Sequence, residues 1–111
     1  MESRKAKIES MLKDEPNDVF LRYSLAQECW NEDESEKALE LLEALTRETP
    51  PYVPAFFRSA QFLAEDEDDA ERVQQARDRL RNGIEEARNQ GDHHAAAEMS
   101  EFLADLGRLG E

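Results

Sequence analysis

The chain's 111 residues allow one domain with a modest core, and 37% charged residues against four glycines and four prolines favour helices over strands. A formal net charge of -13 argues against DNA or RNA as a ligand, because a phosphate backbone calls for clustered Lys and Arg, and against an anionic membrane surface for the same reason. The leading account of such acidity is solubility or life in high salt, where dense carboxylates are screened, ahead of recruitment of a basic partner or mimicry of nucleic acid.

Six helices are expected. The first, over residues 3–13, carries Ile8, Met11 and Leu12 at helical spacing and stops before Pro16, which cannot continue a helix. Asn17 or Asp18 caps the second, whose packing face is Leu21, Leu25, Ala26 and Cys29, up to the polar turn Asn31-Glu32-Asp33. Asp33 with Glu36 three residues on is a capping-box pattern opening the third, with Ala38, Leu41, Leu42 and Leu45 inward and an end before Thr49-Pro50-Pro51. Val53-Pro54 starts the fourth, since proline at the first helical position forfeits no hydrogen bond, and Phe56, Ser59, Ala60 and Leu63 give its inward face. The acidic run Glu65 to Asp69 leads into a long fifth helix, about residues 69–89, striped with Val73, Ala76, Leu80, Ile84 and Ala87. Gly91 ends it and Asp92 caps the sixth, where Ala95, Met99, Phe102, Leu103 and Leu106 share a side until Gly107.

Cys29, the only cysteine, cannot form an internal disulfide and lies in a packing face, so its expected role is core filling. No apolar run approaches the roughly 18 to 20 residues that span a bilayer, and the opening Met1-Glu2-Ser3-Arg4-Lys5 leads into no apolar signal segment. The default expectation is a soluble protein of the reducing cytoplasm.

Part of the pattern repeats. Pro16 and Pro50 stand 34 residues apart, Ala26-Gln27 returns as Ala60-Gln61, and Tyr23 returns as Phe57 at the same offset. That is the period of a stacking helix-turn-helix unit. Residues 17–50 then form one unit and 51–90 a second. Ala38 to Ala76 and Leu42 to Leu80 are each 38 apart, so the second unit has a turn four residues longer. Small residues at Ala26, Ala38, Ala60 and Ala76 let paired helices approach closely.

On these residues the chain resembles the tetratricopeptide repeat (TPR) family. The first unit supplies Leu25-Ala26, Cys29 where an aromatic is usual, then Ala38, Leu42, Leu45 and Pro50. The second supplies Phe56, Ser59-Ala60, Leu63, Ala76, Leu80 and Gly83, with no closing proline, and Arg22 stands where a bulky apolar residue is typical. Phe20-Leu21-Arg22-Tyr23-x-Leu25-Ala26, Gly83-Ile84-x-x-Ala87 and Gly91-Asp92 also resemble phrases of short single-domain bacterial TPR proteins. The resemblance implies an all-α, right-handed stack of antiparallel helix pairs over 1–111, with 3–13 as an orphan helix and 92–107 as the capping helix such arrays need.

It also implies that the first helix of each pair lines a concave side holding an extended or helical segment of a partner protein. Phe20, Tyr23, Gln27 and Trp30 fall along one stripe of the second helix, apart from its packing face, with Phe57 and Gln61 their counterparts on the fourth. Rings supply desolvated area and amides pair with a peptide backbone. The same residues also read as core covered by the first or sixth helix, or as the contact of a homodimer. They lack the Lys, Asn and Arg set with which some TPR domains clamp a terminal carboxylate, so chaperone-tail binding is not expected.

Other features carry less chemistry. Arg77, Arg81 and Arg88 share a side of the fifth helix, either pairing locally with residues such as Glu85 or meeting an acidic partner. Glu65 to Asp69 lacks the glycine turn and distal glutamate of a calcium loop and reads as a helix-capping turn. His93 and His94 are adjacent, about 100 degrees apart on a helix, and do not converge on a metal. With no phosphate-cradling loop or nucleophile elbow, the expectation is a noncatalytic protein-interaction module without cofactor or metal.

Overall fold

The computed structural model describes residues 3–109. Those residues contain six α-helices and no strand: α1 Arg4–Asp14, α2 Val19–Asn31, α3 Ser35–Thr46, α4 Val53–Ala64, α5 Ala70–Asn89 and α6 His93–Leu109. The last helix runs two residues beyond the expected stop at Gly107, and residues 1, 2, 110 and 111 of the expected domain lie outside the described residues. The chain forms two compact units, the first ending at Tyr52 and the second beginning at Val53.

In the first unit α1 packs on α2 and α2 on α3. The Ser3 hydroxyl caps α1 by accepting from the Ala6 amide at 3.1 Å, and the Asp18 carboxylate caps α2 by accepting from Leu21 at 2.9 Å. Leu25, Ala26 and Cys29 of α2 and Ala38, Leu42 and Leu45 of α3 are buried. With Ala26 and Ala38 closed to solvent, the helix pair sits close, as small residues permit. α1 is held more loosely: Ile8 is its buried residue, whereas Met11, expected to share that face, is 49% exposed.

The expected capping box at Asp33 does not form. Asp33 has φ 63°, its amide donates to the Trp30 carbonyl at 3.2 Å, and the Glu34 amide reaches back to the Cys29 carbonyl at 2.8 Å. This is the left-handed ending that satisfies the last carbonyls of α2. Asp33 is thereby taken up by that ending, Glu34 precedes α3, and its side chain makes no capping hydrogen bond. Gly91 ends α5 in the same way, with φ 76° and the Asp92 amide on the Ala87 carbonyl at 2.8 Å.

In the second unit α5 packs along α4, α6 packs along α5, and α6 also touches α4. Asp69 caps α5 and Asp92 caps α6, accepting from Arg72 and Ala95, each at 3.1 Å. The expected faces Phe56, Ser59, Ala60, Leu63 on α4 and Val73, Ala76, Leu80, Ile84, Ala87 on α5 are buried throughout. Three helices meet at Gly83: a Cβ there would lie 2.6 Å from the Phe56 Cβ and 2.7 Å from the Met99 Sδ. Only a residue without a side chain fits this crossing.

Candidate functional site

On α2 the four stripe residues meet different surroundings. Phe20, one residue into the helix, is 64% exposed, while Tyr23, Gln27 and Trp30 are half-buried. For Tyr23 the covering segment is the chain that follows α3. It folds back so that the Tyr52 amide donates to the Leu45 carbonyl at 3.0 Å, the Tyr52 ring meets Tyr23 edge-on at 5.7 Å, and Glu48 accepts an ion pair from Arg22. Arg22, at a position where a bulky apolar residue is typical of the resembled repeat, thus closes its edge of the unit by charge. Burial pushes the Tyr52 phenol above its ordinary value, with Tyr23 and Asp18 adding to it. The Gln27 amide donates to Asn31 at 3.2 Å within the helix.

Phe57 and Gln61 of α4 are placed by the sixth helix. The Phe57 ring lies 5.7 Å from Phe102 of α6 at 59°, so it is half-covered within its own unit. Gln61 lines an open groove of about 470 Å³ between α4, the following turn and α6. The apolar part of its wall is Ala64, Phe102 and Leu106, and Glu65, Glu67 and Asp105 supply carboxylates. Sequence reasoning placed Phe102 and Leu106 on one face of α6 but had no means of pairing them with Gln61, about forty residues away.

The remaining candidates resolve individually. Arg77 donates to the Leu106 carbonyl at 2.8 Å, tying α5 to the last turns of α6 where carbonyls need donors, rather than to Glu85. Arg81 pairs with Asp78 at 3.3 Å. His94 lies 3.1 Å from Glu98 on its own helix, and the turn at 65–69 caps α5 through Asp69. Cys29 is fully buried in the first unit, and burial pushes its thiol up, opposed by Lys37 and Lys5. Lys5 donates to Glu34, which raises the ammonium and lowers the carboxyl from their ordinary ranges, and Arg4 pairs with Glu28 at 3.1 Å. Among the described residues no three His, Cys, Asp or Glu side chains stand close enough to hold a metal ion, and no helix is long and apolar enough to cross a membrane. No protein-family model, curated protein or solved structure matches this chain.

Proposed function

We propose that this chain is a noncatalytic protein-interaction module of TPR-like helix pairs, working in the cytoplasm and holding an extended or helical partner segment on the first helix of a pair. The observation that carries the reading is Phe20. A ring 64% exposed on α2, opposite the buried Leu25, Ala26 and Cys29, contributes little to the core and offers area to a partner. Half-buried Tyr23, Gln27 and Trp30 continue that stripe, joining rings to an amide able to pair with a backbone. The pairs α2/α3 and α4/α5, each with buried alanines at its crossing, support the repeat assignment. Phe57 and Gln61 enter the proposal through their own unit, beside α6.

The test is capture of a partner from native host lysate by wild type and by Phe20→Ala and Tyr23→Ala variants of unchanged helicity. Truncating so exposed a ring should alter stability by no more than about 0.5 kcal/mol, so lost capture would report the surface. Equal capture by wild type and the Phe20→Ala variant removes the assignment. Sedimentation equilibrium distinguishes the homodimer: a mass that doubles with concentration, and returns to monomer in Phe20→Ala, would assign the stripe to self-association.

A further inference from the structure

The groove between α4 and α6 differs from the α2 stripe in charge. Among the described residues that line it, three side chains are carboxylates, Glu65, Glu67 and Asp105, and none is a Lys or Arg. Arg77 reaches this end of α6 and donates to the Leu106 carbonyl. The wall beneath is apolar, with Leu106 and Ala64 buried and the Phe102 ring half-exposed. A volume of about 470 Å³ falls within the range of roughly 300 to 1,000 Å³ typical of small-ligand sites.

These features define an occupant. The carboxylates do not converge as a chelating set, since no metal-holding group of three exists among the described residues. They suit instead an extended organic cation whose apolar stem lies along Phe102 and Leu106 while its charged end meets the rim. Long basic side chains divide in this way between an apolar stem and a charged head. A guanidinium over an aromatic face is already present in this unit, where Arg58 stands 5.9 Å above the Phe62 ring.

We propose that the α4–α6 groove receives a Lys or Arg side chain carried by an apolar segment of the partner protein. This rests on the reading of the chain as an interaction module and gives that module's partner a chemistry: basic residues interleaved with apolar ones. The overall charge of -13 favours approach of such a segment, and the groove supplies its seat.

The probe is the peptide acetyl-Leu-Arg-Leu-Arg-Leu-amide, titrated into the isotope-labelled full chain at about 0.1 M salt, a Debye length of about 10 Å. Its counterpart carries citrulline for arginine, the same shape without the charge. Amide shifts centred on Gln61, Glu67 and Phe102, with the citrulline peptide at least about tenfold weaker, are expected. Glu67→Gln with Asp105→Asn should weaken the arginine peptide by a similar factor. Glu36→Gln with Glu40→Gln, equal in charge but on exposed α3 positions, should leave it unchanged. Equal binding of the two peptides, equal loss in both double variants, or shifts spread over the acidic surface overturn the proposal. The two levels separate through capture: if Phe20→Ala abolishes partner capture while Glu67→Gln/Asp105→Asn affects neither capture nor peptide, the groove fails and the module stands. If neither variant changes capture, the module reading fails as well.

Discussion

Gly83 shows how one residue type decides a three-helix junction. Alanine improves the intrinsic helix preference by about 1 kcal/mol, yet its Cβ would press on the Phe56 Cβ, an atom that no rotamer change can move away, and on Met99. Overpacking of a close core costs roughly 1 to 3 kcal/mol, which exceeds the propensity gain. Gly83→Ala should therefore lower the urea midpoint with an unchanged slope, and a raised midpoint would mean that the crossing has slack. Asp33 makes the complementary point. Its short polar side chain tolerates the left-handed backbone that ends α2, a role for which Gly91 serves α5, and the Asp-x-x-Glu spacing concealed this because the same residue type favours both kinds of helix end.

At the level of elements, α1 is held in part by charge. It contributes Ile8 to the core, leaves Met11 exposed, and is joined to the turn before α3 by Lys5–Glu34. The folded carboxyl of Glu34 lies below 4.5 and the Lys5 ammonium above 10.5 because each hydrogen-bonds the other. The contribution of the pair is therefore complete between those two values. It is lost as pH falls below 4.5 through the folded value of Glu34, and again as pH rises above 10.5 through that of Lys5. Cα chemical shifts over residues 5–12 should move towards coil in acid, and Glu34→Gln should show the same displacement at pH 7 while α2 and α3 keep theirs. Shifts of α1 that ignore Glu34→Gln would assign its docking to Ile8 and the Arg4–Glu28 pair. The strongly periodic helices α4 and α5 were legible from their apolar stripes, because 3.6-residue spacing and burial are one signal seen twice. Met11 misled because α1, a short helix packed along α2, buries only part of its apolar side. The Arg22–Glu48 pair, the Arg77 contact with α6 and the groove beside Gln61 depend on residues 26 or more positions apart, a separation at which periodicity is silent.

For the whole molecule, 27 acidic residues against 14 basic ones make repulsion the dominant long-range term, larger than the few exposed ion pairs that salt would weaken. Raising salt from about 0.01 M to about 1 M shortens the Debye length from about 30 Å to about 3 Å. Thermal stability should rise, by about 4 to 8 °C for each kcal/mol of repulsion relieved in a domain of this size, and a flat or falling Tm would show that local pairs outweigh the net charge. The division at Tyr52 and Val53 has a practical corollary. Trp30, Tyr23 and Tyr52, the chain's entire complement of indole and phenol rings, all belong to the first unit, and the second carries only phenylalanine. Light tuned to those chromophores follows one half of the protein, whereas far-ultraviolet ellipticity sums both, so the gap between the two melting midpoints measures directly how far the halves unfold as one.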